Sequence, residues 1–403
     1  MAPRTSPEEF RKGVRPEEFA DRLDRVRRVM AERSVSVLVV TDPANLFYLS
    51  GYDAWSFYMP QCLVVPAEGE VHLFARAMDA AGARFTTVLP DDQVHGYPEE
   101  LVHRDDCHPF DWMIATARDC GALADGPDAV VAVETDCHFF SARAYLALTA
   151  GLPRSRVVDS RELVNWVRVV KSEREIEQLR IAGSIAEHAM QVALAAVAAG
   201  RRQCDVAAEI MAAQAGGTPE HGGDYSAIVP LLPTGAGAGT PHLTWTDLPF
   251  VEGEATTIEL AGVFGRYHAP LARTVMLGEP SRRLVETADV VGEGMRAALA
   301  GLVPGATGRD VHAAFNAVIN RHGLAKKSRI GYSIGIGYPP DWGERTVSLR
   351  AEEATVLVAG MAFHVILGMW MDGWGYELSE PVVLTESSPE RLTDVPQTLT
   401  IRR

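Results

Sequence analysis

The chain has 403 residues, 47% of them hydrophobic, and 53 acidic against 38 basic side chains give a formal net charge of −15. That length and apolar content supply cores for two or three ordinary domains and exclude a disordered or fibrous protein. The acidic balance argues against nucleic acid or an anionic membrane surface as the main partner, since both attract basic proteins, and points to a small solute.

The N-terminal stretch "MAPRTSPEEFRKGVRPEEFADRLDRVRR" is highly charged, without the apolar segment of a signal peptide, and no run of about 18 apolar residues follows anywhere. Five cysteines, Cys62, Cys107, Cys120, Cys137 and Cys204, form no CxxC pair and are odd in number. Reduced thiols in the cytoplasm are expected, rather than a disulfide framework or a structural zinc site.

Phe19, Leu23, Val26 and Met30 recur at helical spacing and predict an amphipathic helix. "SVSVLVV" then predicts a buried strand, and "TDPANLFYLSGYDAWSFY" brings turn residues followed by dense aromatics. "QCLVVPAEGEVHLFAR" reads as two strands joined by a turn at Ala67 to Gly69, and "AVVAVE" as another strand leading into the helix-like "FFSARAYLALTA". This alternation predicts an α/β domain over residues 1–165.

A second domain, 172–403, opens on "KSEREIEQLRIAGSIAEHAMQVALAAVAAG". Ser172 with Glu175 three residues on forms a capping box, Gly200 is the expected stop, and Ile176, Leu179, Ile185, Ala189 and Leu194 make one apolar stripe. Helical stretches "RLVETADVVGEGMRAALAGL" and "GRDVHAAFNAVINRHG" sit between the β-rich "ATTIELAGVF", "ATVLVAGMAFHVILG" and "SEPVVLTE". The order predicts an α+β domain with helices on one face of a curved sheet. If "TTIELAG" is a strand, Thr257, Glu259 and Ala261 share one face. An acid among apolar neighbours there needs a cation or a hydrogen-bond donor if it is buried.

"VNWVRVVKSEREIEQLRIAGSIAEHAM", "YHAPLARTV", "GYSIGIGYPPDWGE", "GMAFHVILG" and "YELSEPVVLTE" resemble, in order, successive motifs of the creatinase and aminopeptidase P family. The resemblance covers almost the whole chain. It implies an α/β N-terminal domain, a C-terminal catalytic domain of pita-bread fold, and a homodimer in which the N-terminal domain of one chain covers the site of the other. "GYSIGIGYPPDWGE" would be a Gly-rich loop. Metallopeptidase members hold two divalent metals with two Asp, one His and two Glu. Those positions fall here on Glu259, Pro270, Tyr332, Ile366 and, within a residue or two, Ser379. No metal and no other cofactor is therefore expected.

What remains implies hydrolysis by acid–base groups. Within the family the chain resembles the metal-free subgroup that hydrolyses ectoine, a cyclic amidine carrying a carboxylate. The implied assignment makes Glu259 the carboxylate facing the amidinium, His242 in "GTPHLTW" the proton shuttle, and Glu377 or Glu380 a second carboxylate. Tyr332, His364, Arg273 and Trp374, with Tyr52, Asp53 and Trp55 reaching in from a neighbouring chain, are candidates for substrate contact. Structural roles are open for His364, for Arg273 and for the aromatics, and tight packing is open for Gly331, Gly335 and Gly337. Creatinase-type hydrolysis of another amidino compound and a catalytically silent binding protein for a peptide or small zwitterion are the competing readings.

Overall fold

The structure is a computed structural model that describes residues 16–403. The reading of the extreme N-terminus, residues 1–15, lies outside the described residues. The chain divides into two compact units, Met1–Val167 and Arg168–Arg403.

In the first unit a helix runs over Pro16–Glu32. Phe19, Val26 and Met30 are buried on it, while Leu23 is half-exposed and Arg22 takes the inward place, its guanidinium over the Tyr48 ring. Six strands follow: β1 Val37–Val40, β2 Cys62–Pro66, β3 His72–Arg76, β4 Val94–Tyr97, β5 Val130–Val133 and β6 Arg156–Asp159. They form one sheet in the order β4-β3-β2-β1-β5-β6. Strands β1 and β2 run antiparallel, as do β2 and β3, and the remaining pairs are parallel. Both faces of β1 and β2 are buried, as continuous apolar runs demand. On one face Val37, Val39, Phe74 and Tyr97 meet Phe110, Met113 and Ile114 of the helix Pro109–Asp119.

The second unit opens on the helix Glu173–Ala196, whose Ser172 and Glu175 close the expected capping box. It ends at Val197 rather than at Gly200. The N–H of Gly200 is drawn instead to the carbonyl of Phe250, a tertiary bond that local spacing cannot reveal. The strands are β7 Ala255–Phe264, β8 Tyr267–Leu277, β9 Gly331–Tyr338, β10 Asp341–Ser348, β11 Ala362–Ile366, β12 Met369–Met371, β13 Trp374–Tyr376, β14 Ser379–Leu384, β15 Pro389–Arg391 and β16 Thr400–Arg402. Eight belong to one sheet, in the order β15-β14-β11-β9-β8-β16 with β7 on β8 and β10 on β9, and β12 and β13 form a separate hairpin. The helices Arg282–Gly301 and Gly308–Arg321 pack on this sheet through Val291, Met295, Phe315 and Ile319 against Phe363, Val365 and Val382. The first helix lies against β7 so closely that a Cβ on Gly262 would come within 2.1 Å of the Ala182 carbonyl oxygen.

Two sequence expectations change. The β-rich stretch 354–368 contributes only β11, with Val356 and Val358 exposed. "GYSIGIGYPPDWGE" is no loop but the β9–β10 hairpin. Its glycines serve close packing: a Cβ on Gly335 would meet Glu344 Oε1 at 2.3 Å, and one on Gly337 would meet the Trp342 backbone at 2.9 Å.

Candidate active site

Strand register decides which side chains can meet. Glu259 stands opposite Ala272, and Ala261 opposite Pro270, so Thr257, Glu259 and Ala261 share a face with Pro270, Ala272 and Thr274. Strand β14 adjoins β8 there. Ser379 Oγ accepts the Ala272 N–H at 2.6 Å, and the Thr274 hydroxyl exchanges 2.9 Å bonds with the Glu377 backbone. On β11 and β9, Ile366 stands opposite Ser379 and His364 opposite Tyr332.

Glu259 and Glu377 form the acidic centre, 6% and 3% exposed. Burial, then the neighbouring Glu377, holds the Glu259 carboxyl well above the usual carboxylate range. Burial pushes Glu377 up to about 7, opposed by Lys326. Among the described residues, no hydrogen bond supports the charged form of Glu259, and Glu377 Oε1 is buried without a hydrogen-bond partner. Thr257 Oγ1, on the face of Glu259, and Trp370 Nε1 are likewise buried and unpartnered. Buried polar atoms are ordinarily satisfied, so orphans in one neighbourhood mark a place for a polar ligand.

Lys326 is the cation that acts on Glu377. Its Nζ donates to the Gly368 carbonyl at 2.6 Å and lies 4.2 Å from the Trp370 ring centroid. Burial brings its pKa down to about 8, with Glu377 acting in the opposite sense.

Beside the carboxyl pair runs a chain of neutral groups. The Trp342 indole N–H donates to Tyr332 Oη at 2.8 Å, Tyr332 Oη lies 3.0 Å from His364 Nδ1, and His364 Nε2 lies 2.6 Å from Ser379 Oγ. Burial lowers His364 to about 3, so the ring is neutral. Burial and then Glu259 hold the Tyr332 hydroxyl above its ordinary value, placing that carboxyl within electrostatic reach of the phenol. The ring of Tyr332 also packs with Ala227, Ala261 and Trp342, under the Arg329 guanidinium 4.3 Å away.

The resemblance puts the metal-ligand positions of the family's peptidases at Glu259, Pro270, Tyr332, Ile366 and, within a residue or two, Ser379. Proline and isoleucine have no side-chain donor, and the Tyr332 and Ser379 hydroxyls are engaged with His364. One carboxyl and two engaged hydroxyls do not fit a two-metal clamp.

The other sequence candidates divide. His242 stands in the left-handed region at φ 68° and is exposed. It belongs to the segment beside β7: the Leu232 N–H bonds to the Leu243 carbonyl, and Leu231 bridges Glu259. Glu380 is not beside Glu259. It stands opposite Val365, on the other face of β14, where it takes Arg273 at 2.6 Å, Gln397 at 3.0 Å, Thr393 at 3.1 Å and Arg391 at 3.3 Å. Arg273 is equally committed, donating also to the carbonyls of Ala272, Ser379, Val395 and Pro396. Neither has a group to spare for a substrate. Trp374 carries Arg283 over its ring, 4.8 Å from the centroid, at the edge of the core.

In the first unit, Tyr52 is buried with its hydroxyl 3.1 Å from Ser56 Oγ, and burial pushes the phenol up to about 12. The Asp53 N–H bonds to Thr86 Oγ1 at 3.2 Å. Trp55 is 58% exposed on a short 3-10 turn. Sequence reading missed Lys326 and Trp342, and took Trp370 as a core residue before a ligand contact. Only their residue types could have marked them, since each comes to the site from a different segment.

Comparison with known proteins gives the family. Residues 22–170 match the creatinase/prolidase N-terminal domain and residues 177–386 match metallopeptidase family M24. The ectoine hydrolase of Halomonas elongata is 43% identical over 392 residues, 96% of this chain and 98% of that one. Dipeptidase PepE from Mycobacterium ulcerans superposes with a TM-score of 0.79 at 25% identity, covering 96% and 98% of the two chains. A prolidase from Thermococcus sibiricus, at 17% identity, shares the fold with a TM-score of 0.81 over 95% and 99%. With a creatinase-type α/β domain followed by a pita-bread domain, the chain belongs to the hydrolytic creatinase and metallopeptidase M24 family.

Proposed function

We propose that this chain is a metal-independent hydrolase that opens the cyclic amidine of ectoine or 5-hydroxyectoine to N-acetyl-diaminobutyrate. The observation that carries the reading is the buried pair Glu259 and Glu377, without sufficient protein partners. A protonated amidine supplies what the pair lacks, a delocalised positive charge and N–H donors. The likeness to an ectoine hydrolase supports this choice of cation.

In this reading, the arriving amidinium drives Glu259 into its charged form and is held against it. Water adds to the amidine carbon while a carboxylate takes up its proton, and one ring C–N bond breaks. The departing nitrogen leaves as an amine with a proton from His242, while the second nitrogen stays on the carbon as the amide. Attack by Glu259 itself, followed by water, leads to the same product. Tyr332 and His364 keep the wall beside the carboxyl neutral. Lys326, within electrostatic reach of Glu377, offers positive charge to the substrate carboxylate.

The test is turnover of ectoine, hydroxyectoine, creatine and a proline dipeptide by the purified protein, each with and without chelator. Opening of an ectoine that chelator leaves unchanged is the expected result. Turnover of the dipeptide that disappears with chelator would overturn the reading.

A further inference from the structure

The first unit brings together three side chains that the amidine chemistry does not use. His72 opens β3 and His95 lies in β4, where it stands opposite Phe74. His72 and Phe74 are two residues apart on one strand, so both imidazoles face the same side of the sheet. Cys120 caps the C-terminus of the helix Pro109–Asp119, which packs on that side. His72 Nδ1 is 2.9 Å from His95 Nε2, with the rings stacked, and the ligand atoms of all three residues lie within 4.8 Å of one another.

We propose that His72, His95 and Cys120 form a site for one divalent ion of borderline softness, zinc foremost, with a fourth position open to solvent. Two imidazoles and a thiolate are the donors such an ion prefers. At usual zinc–nitrogen and zinc–sulfur lengths, tetrahedral coordination needs about 3.4 Å between nitrogens and about 3.5 Å from nitrogen to sulfur. The histidine nitrogens must part by about half an ångström and the sulfur must approach by at most about 1.3 Å. Rotation of an exposed side chain at a helix end supplies that movement.

Two further features fit. A 2.9 Å contact between ring nitrogens requires one to donate and the other to accept, so the pair carries a proton where a metal can replace it. Burial also holds both imidazoles below their ordinary pKa, which favours the neutral form that ligates metal. Asp92 lies within electrostatic reach of both rings, and its carboxylate would offset the charge left by a dication and a single thiolate.

The experiment is titration of the reduced, metal-free full-length protein with cobalt(II), then zinc(II), in a buffer that binds neither. One equivalent of cobalt should give a near-ultraviolet thiolate-to-cobalt band that zinc abolishes, and zinc should raise the melting temperature. Cys120→Ser, at an exposed position, should remove the band and weaken zinc binding at least a hundredfold, with His95→Gln weakening it comparably. Failure of the unaltered protein to take up one equivalent, or a band and affinity that survive Cys120→Ser, overturns the proposal. Hydrolysis is not a readout, so the result does not depend on the amidine reading.

Discussion

Glu377 and Glu380 stand three residues apart and are both buried, yet they live in opposite chemistries. Glu380 is ringed by Arg273, Arg391, Thr393 and Gln397 on one face of β14. Glu377, near the other face, has one orphan oxygen, an acidic neighbour and Lys326 as its countercharge. A buried acid with every lone pair engaged fixes structure. One left short of partners costs stability and is retained where a ligand completes it.

The sharpest way to break this contrast is to exchange the consequences. Glu380→Ala leaves Arg273 buried and unpaired and should cost about 3–5 kcal/mol of stability, read as a large fall in melting temperature. Glu259→Gln should leave the melting temperature unchanged or raised, because it removes a buried acid that no hydrogen bond supports. Steady-state assays with ectoine should instead show its turnover lowered at least about a hundredfold, and that of His242→Ala by a similar factor. Near-normal turnover in either variant would remove that residue from the mechanism.

A smaller effect concerns protons. The folded state holds Glu377 protonated to about pH 7, whereas the ordinary value is 4.5. The folded state therefore keeps a proton that the unfolded chain releases, so this contribution to stability is complete below pH 4.5 and lost as pH rises through about 7. Melting temperatures of the ligand-free protein across that window should fall with pH, and Glu377→Gln should flatten the slope. The smallest effect is expected from Lys326→Met. Without the cation beside it, Glu377 should titrate higher still, displacing the fall in stability, and the acidic limb of the activity profile, toward higher pH.

Much of the scaffold is legible in the sequence because its causes are local. The Ser172–Glu175 capping box and the paired strands 62–66 and 72–76 need only neighbours a few residues away. Glu259 is legible from alternation along its strand. Glu377 and Glu380 cannot be separated this way, because an uncertainty of one residue in a strand of period two moves a side chain to the opposite face. The pairing of Ile366 with Ser379 removes that ambiguity. Lys326, Trp370 and the cluster of His72, His95 and Cys120 depend on contacts between distant segments, which no spacing encodes. The β9 glycines mislead for another reason: glycine is a turn signal in isolation, yet here it is what allows Glu344 and Trp342 to pack against a strand.

The neutral chain from Trp342 through Tyr332 and His364 to Ser379 also bears on the routes by which this pocket can change. Pro270→Asp alone would add a third acid to a pair already burdened by mutual repulsion. Ser379→Glu alone would cut the link to His364, and Tyr332→His alone would remove the hydroxyl that receives Trp342. Each of these three single steps toward a peptidase ligand set is penalised before any ion could compensate it, so the donors are not readily introduced one at a time.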